Sequence, residues 1–172
     1  TRTLLNNLLD WTLLQMDKLS LQPAKISLQK IVSENLQLLS SAQNKNINFE
    51  NLIPENALAF ADSNTINLVI RNLITNAIKF TNENGQIQLS ASDEGNFWKV
   101  AVKDNGVGIR KDVFNMLFDK TSPYSTRGTA NEKGTGLGLI LCKEFVEKNG
   151  GTISVTSEEG KGSTFYFTVP KV

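Results

Sequence analysis

The chain has 172 residues, 40% of them apolar, with 18 Lys+Arg against 17 Asp+Glu and a formal net charge of +1. That length suits one α/β domain with a short appendage, and the near-zero charge argues against a nucleic-acid surface, which needs a strongly basic face. The chain contains no histidine, which excludes imidazole metal ligands and histidine acid/base catalysis within it.

Cys142 stands alone, so no intrachain disulfide can form and a reducing compartment is expected. No apolar run approaches the roughly 20 residues that span a bilayer, and no signal peptide is visible.

From Thr1 to Leu19, Leu4, Leu5, Leu8, Leu9, Trp11, Leu13, Leu14, Met16 and Leu19 fall on more than one face of a helix. Such a helix needs partners on two sides, either within this domain or in a helical dimerisation bundle. Pro23 stops it. Ala24 to Leu28 reads as a short strand, and Ser27 as the N-cap of a helix from Leu28 to about Asn44 with Leu28, Ile31, Val32, Leu36 and Leu39 at helical spacing. Asn46 to Leu52 alternates as a strand, Pro54-Glu55-Asn56 makes a turn, and Leu58 to Ala61 gives a further strand.

Asp62-Ser63-Asn64-Thr65 offers several caps for a long helix reaching about Phe80. Its core stripe is Ile66, Val69, Ile70, Leu73, Ile74, Ala77 and Ile78. Asn72, Asn76 and Lys79 share another face and can converge on one ligand. Asparagine is a middling helix former, so two in line make either a solvated face or a ligand site.

Gln86 to Ser92 and Phe97 to Lys103 predict a hairpin around Asp93-Glu94-Gly95-Asn96. Asp104-Asn105-Gly106-Val107-Gly108-Ile109 then sets a carboxylate at a strand end beside two glycines, placed to accept hydrogen bonds from a neutral edge such as the amino group of a base. Val113, Phe114, Leu117 and Phe118 suggest a short helix. Asp119 to Lys133 is polar and of a length more often found in lids than in linkers. Its apolar anchors are only Pro123, Tyr124 and Ala130, so its order is expected to come from a phosphate ligand.

Gly134-Thr135-Gly136-Leu137-Gly138-Leu139 runs into an apolar helix that ends at Asn149-Gly150-Gly151. A Gly-rich turn opening a helix leaves N–H groups aimed at an anion, and a phosphate suits it. The P-loop pattern fails because Lys133 precedes Gly134, and the dinucleotide fingerprint fails because Leu139 stands at the third glycine. Thr152 to Ser157 and Ser163 to Val169 close the chain as two strands.

Asn72-Leu73-Ile74-Thr75-Asn76-Ala77-Ile78-Lys79-Phe80-Thr81, Asp104 to Ile109, Phe114 with Phe118, and Gly134 to Leu139 resemble the asparagine, first glycine, phenylalanine and second glycine boxes of sensor histidine kinases. These belong to the GHKL superfamily of gyrase, heat-shock and mismatch-repair ATPases. Gly160-Lys161-Gly162-Ser163-Thr164-Phe165 resembles the family's closing hairpin.

The resemblance implies an α+β fold: a two-layer α/β sandwich of the Bergerat type, one mixed sheet with about three helices on one face, plus the N-terminal helical appendage. Residues 1–20 would end the second helix of a dimerisation and phosphoacceptor hairpin. Residues 21–172 would form the ATP-binding domain, with the ATP lid at about 110–133.

It further implies ATP and Mg²⁺ as cofactors. Asp104 would take the exocyclic amine of adenine with help from Thr164 through water, and Gly106 and Gly108 would give the base room. Phe80, Ile109 and Phe118 would lie near the nucleotide. Asn76 would ligate Mg²⁺, Lys79 would reach a phosphate, and Lys133, Gly134, Thr135, Gly136, Leu137 and Gly138 would hold the phosphate tail.

Asn72 stands where the hydrolytic relatives generally carry a glutamate base, and an amide cannot take a proton at neutral pH. The implied activity is transfer of the γ-phosphoryl group to a histidine upstream of this chain, in two-component signalling. The alternatives are a conformational ATPase of the superfamily and a non-catalytic nucleotide-sensing scaffold. The implied partners are the kinase's own phosphoacceptor domain and a downstream response regulator, with no nucleic acid. A homodimer is expected for the full-length protein, with a monomer left open for this piece, in the cytoplasmic portion of a membrane-anchored sensor.

Overall fold

A computed structural model describes residues 20–121 and 124–172. The helix predicted from Thr1 to Leu19, and the dimerisation-hairpin reading that depends on it, lie outside these residues. The element order is β1 (Pro23–Ser27), α1 (Leu28–Ser40), β2 (Asn48–Leu52), β3 (Leu58–Asp62), α2 (Ser63–Phe80), β4 (Gln86–Glu94), β5 (Phe97–Asp104), a 3₁₀ turn (Lys111–Met116), α3 (Gly138–Lys148), β6 (Ile153–Glu158) and β7 (Gly162–Pro170).

Local chemistry explains the helix ends. The Ser27 hydroxyl accepts from the Lys30 N–H at 3.3 Å and starts α1. That helix ends at Ser40 rather than near Asn44, because the Ser41 hydroxyl turns back onto the Leu38 carbonyl at 3.0 Å. In α2 the Asp62 carboxylate caps the Thr65 N–H at 2.9 Å. At its other end the Thr81 hydroxyl donates to the Ala77 carbonyl at 2.6 Å and the chain turns extended.

Ile66, Val69, Ile70, Leu73, Ile74 and Ala77 are buried along one face of α2, which packs between α1 and α3. Truncating a residue such as Leu73, which is 0% exposed, to Ala would cost about 2–5 kcal/mol. This rigid centre carries Asn72, Asn76 and Lys79 on its remaining face.

Five strands form a mixed sheet in the order β2-β4-β5-β7-β6. Only β2 and β4 run parallel, and the crossover through β3 and α2 supplies the long connection that a parallel pair needs. Trp98, Val100 and Val102 on β5, with Phe165, Phe167 and Val169 on β7, turn to the helices and are buried. The core therefore lies on one face of the sheet.

The β4–β5 hairpin is tighter than its sequence suggests. Glu94 pairs with Phe97 across Gly95-Asn96, with Gly95 at φ +74°.

One expectation changes. β1 and β3 form a separate two-stranded antiparallel sheet rather than joining the large one. The Trp98 indole N–H takes the Leu58 carbonyl at 3.1 Å, so β3 meets the large sheet through side chains and a single bridge from Ala59 to Lys171.

Candidate functional site

Asp104 ends β5, the middle strand of the sheet, where it pairs with Ile87 on β4 and Ser163 on β7. It continues the helix-facing set Trp98, Val100 and Val102, and is 5% exposed. Its Oδ1 accepts from the N–H of Gly106 at 2.9 Å and of Ser163 at 3.3 Å, which leaves Oδ2 for a ligand. Burial pushes the carboxyl above its usual range, and these two N–H bonds only partly reverse that.

The neighbouring glycines answer to backbone crossings. A Cβ on Gly106 would stand 2.1 Å from the Phe80 carbonyl oxygen, and one on Gly108, at φ +70°, 2.1 Å from that of Glu158. These approaches let Val107 N–H reach Phe80 O at 3.0 Å and Gly160 N–H reach Val107 O at 2.7 Å. The loop is thereby fastened to the end of α2 and to the β6–β7 hairpin. Room for a base is a by-product at Gly108, which lines the cavity, and Gly106 does not line it.

A cavity of ≈ 400 Å³ opens beside Asp104. Asn72, Thr75, Asn76, Lys79 and Phe80 line it from α2; Asp104, Val107, Gly108, Ile109 and Arg110 from the first glycine loop; and Val113 and Leu117 from the 3₁₀ turn and its end. Tyr124, Ser125, Thr126, Arg127 and Lys133 contribute from the lid, Gly134, Thr135, Gly136, Gly138 and Leu139 from the second glycine cluster, and Glu159, Ser163 and Phe165 from the last hairpin.

Four expected residues do not line this cavity. Gly106 is pressed under the Phe80 carbonyl, Phe118 packs against the core, and Leu137 is the residue before the first turn of α3. Thr164 pairs with Lys103 and Thr156 on the other face of β7, because neighbouring strand residues point to opposite faces. Ser163 occupies the position expected for it. Thr75, Leu139, Glu159 and Phe165 also escaped the motif reading, although Thr75 and Leu139 fall inside the boxes and Phe165 follows Ser163 at the strand period of two.

The cavity also carries cations. Lys79 Nζ donates to the Thr126 carbonyl at 2.6 Å and lies 4.7 Å from the centre of the Phe80 ring. Burial pulls its pKa below the usual lysine value, against an opposing pull from Glu132. A Cβ on Gly134 would come 2.5 Å from that ammonium, so Lys79 and the second glycine cluster face one another. Asn72 lies beside the same cluster, with a Cβ on Gly138 falling 3.9 Å from its Cγ. The buried Cys142 thiol donates to the Val69 carbonyl at 3.8 Å, and burial pushes it up to about 12, against a lowering pull from Asn72.

The cap residue of α3, Leu137, makes no side-chain cap, and its own N–H goes to the Thr135 hydroxyl at 3.2 Å. Free N–H groups at such a start suit phosphate oxygens. Among the described residues no three His, Cys, Asp or Glu side chains gather into a metal site. Asn76 offers one amide oxygen, a hard donor, which fits Mg²⁺ carried mainly by the ligand's own phosphates.

Part of the lid is ordered by the protein itself, contrary to the expectation that a phosphate ligand orders it. Thr129 N–H donates to Lys79 O at 3.0 Å, its hydroxyl donates to Thr81 O at 2.9 Å, and Gly128 N–H reaches Glu132 O at 3.0 Å. Lys45, outside every motif, donates to Thr129 Oγ1 at 2.7 Å and pairs with Glu132 at 2.5 Å. At the lid's other end Lys120 pairs with Glu144 of α3.

A mixed sheet with three helices on one face and one cavity lined by a buried carboxylate, a lysine and a glycine-rich turn define an α/β sandwich. Residues 61–172 match the family of Histidine kinase-, DNA gyrase B-, and HSP90-like ATPases, and the chain belongs to that family. It is 36% identical over 150 residues to the sensor histidine kinase ZraS of Escherichia coli, which covers 84% of this chain and 30% of ZraS. It is 38% identical over 152 residues to the adaptive-response sensory kinase SasA of Prochlorococcus marinus, over 86% of this chain and 40% of SasA.

The chain thus spans about a third of the curated relatives it matches. Among solved structures, the nucleotide-free catalytic domain of the histidine kinase ThkA superposes with a TM-score of 0.75 at 31% identity, over 88% of this chain and 97% of that one. ThkA in complex with the response regulator protein TrrA gives a TM-score of 0.76 at 26% identity, over 99% of this chain and 49% of that one.

Proposed function

We propose that this chain is the catalytic domain of a sensor histidine kinase, which binds Mg²⁺-ATP and donates the γ-phosphoryl group to a histidine supplied from outside it. The single observation that carries this reading is the paired chemistry of the cavity. A buried carboxylate with one oxygen available lines it, and so does Lys79, which faces a glycine cluster.

Asp104 Oδ2 accepts from the adenine amino group, and Ser163 holds the carboxylate through Oδ1. Phosphate oxygens meet Lys79, Lys133 and N–H groups between Gly134 and Gly138, though that of Leu137 already bonds the Thr135 hydroxyl. The Asn76 amide oxygen would hold Mg²⁺, which would supply charge neutralisation for the phosphates. Phosphoryl transfer demands mainly positioning and charge neutralisation, which these groups supply. Asn72 sits beside Gly138, and its amide cannot act as a base toward water. This disfavours the ATPase alternative and keeps the γ-phosphoryl for an imidazole nucleophile.

The same reading places the chain in the cytoplasmic part of a membrane-anchored sensor. It makes the kinase's own phosphoacceptor hairpin the immediate acceptor and a response regulator the next.

The test mixes this chain with a separate helical hairpin bearing the acceptor histidine and γ-labelled ATP. Acid-labile, base-stable label on the hairpin is expected. Label released only as free phosphate would favour the ATPase alternative, and binding with no transfer or release the nucleotide-sensing scaffold.

A further inference from the structure

Lys45 is a buried cation, 7% exposed, in the connection between α1 and β2. Its ammonium donates to Ile78 O at 2.9 Å, Lys79 O at 3.0 Å and Thr129 Oγ1 at 2.7 Å, and pairs with Glu132 Oε1 at 2.5 Å. A buried charge is retained only when it is both paired and hydrogen-bonded, and four oxygens meet that condition here.

The four acceptors come from two elements. Ile78 and Lys79 belong to the last turn of α2, where carbonyls lack helix partners and the dipole favours a cation. Thr129 and Glu132 belong to the lid. Glu132 directly precedes Lys133 and Gly134, which line the cavity.

The rest of that segment is tied to the same turn. Thr129 N–H reaches Lys79 O at 3.0 Å, Lys79 Nζ reaches Thr126 O at 2.6 Å, and Ala130 N–H reaches the Glu132 carboxylate at 2.8 Å.

We infer that Lys45 and Glu132 form a latch that seats residues 126–134 on the end of α2 before any phosphate arrives, which makes Lys45 a positioning residue for the phosphate-binding half of the cavity. The inference rests on the nucleotide reading only in taking a triphosphate as the ligand of that half. With the latch, Lys133 and the glycine cluster stand preset opposite Lys79. Without it, the ligand must hold them in place itself, and apparent affinity falls by the fraction of time the segment is seated. Adenosine, which meets only the Asp104 end, escapes that penalty.

The experiment compares the wild-type chain with Lys45→Met, Glu132→Gln and the double variant. Amide exchange is followed at Gly128, Thr129, Ala130 and Asn131 without nucleotide, and calorimetry gives affinities for adenosine and for ATP. Each single variant is expected to speed exchange at those amides and weaken ATP about tenfold, with adenosine changed by less than about twofold. The double variant should be no weaker than Lys45→Met alone, since that change already removes the pair with Glu132.

Unchanged exchange, or equal losses for adenosine and ATP, would overturn the latch. Glu132→Gln, at a half-exposed position, decides the matter should Lys45→Met fail to fold. A wild-type chain that binds neither ligand would instead overturn the nucleotide reading, and the exchange comparison would still judge the latch.

Discussion

Asp104 burdens the fold that it serves. Its folded-state pKa is raised by burial, so the folded protein holds that proton more tightly than the unfolded chain. Stability from this group is greatest at acid pH and falls as pH rises from the ordinary carboxylate value through the raised one. In Asp104→Asn the amide oxygen can still accept from Gly106 and Ser163 while the charge disappears. The nucleotide-free variant should melt higher, by roughly 2–4 °C per kcal/mol relieved.

The same change sets an amide donor against the adenine amino group, a mismatch worth about 1–3 kcal/mol, so ATP affinity should drop roughly ten- to a hundredfold. Melting curves and calorimetric titration check the two halves, and an unaltered affinity would remove Asp104 from the site. Asn76→Ala should leave magnesium-free ADP binding nearly intact and forfeit most of the gain from the metal, because it loses one oxygen ligand. An equal loss with and without Mg²⁺ would mean that Asn76 only packs.

At this scale the helical spacing made Asn72, Asn76 and Lys79 legible, since local geometry alone puts them on one face. Ser163 was missed in favour of Thr164. A strand's facing reverses with every residue, and the Gly160-to-Phe165 run does not by itself fix that phase.

Elements were most legible where their ends are local. The caps at Ser27 and Asp62 each bond an N–H three residues on; Ser27 was readable from the chain, and Asp62 as one of four candidates from Asp62 to Thr65. Burial alone would raise the Asp62 carboxyl, but N–H bonds from Gln22 and Thr65, with the Thr65 hydroxyl and Asn64, hold it below its usual value. It therefore adds stability that is complete above the ordinary carboxylate pKa and lost as pH falls through the depressed one. Asp62→Ala should cost about 1 kcal/mol, within the usual range for a cap of about 0.5–2. Urea midpoints across the acid range should show the variant less sensitive to acidification below about pH 4; an identical pH dependence would deny the cap this role.

The lid was legible as a polar segment and misjudged as wholly ligand-ordered. Its anchors are polar partners far along the chain, Lys45 and the end of α2, and apolar periodicity carries no trace of them. The separate β1–β3 sheet was hidden for the same reason, since the Trp98 indole that occupies the Leu58 carbonyl lies on a distant strand.

Across the whole molecule, four boxes in order defined a family pattern, and the fold brings residues of the asparagine and both glycine boxes to one cavity, while Phe118 of the phenylalanine box packs against the core. What it lacks is as informative. Asn72 puts an amide rather than a carboxylate base beside Gly138, and general-base help is worth roughly 10² to 10⁴ in rate. With no histidine in the chain, the preferred nucleophile is absent too. Phosphate release by the chain alone should therefore sit at the edge of detection, and Lys79→Ala should suppress transfer to an added acceptor without abolishing binding. Steady release near about one turnover per second, the low end of ordinary enzyme rates, would move the ATPase reading ahead of the kinase.

The binding and transfer expectations all presuppose that the cavity takes ATP with its metal, and one calorimetric titration of the chain with ATP, with and without Mg²⁺, tests that directly. The account predicts saturable binding at one site per chain, tightened by Mg²⁺. An absence of saturable binding under both conditions, or an affinity indifferent to the metal, would contradict it.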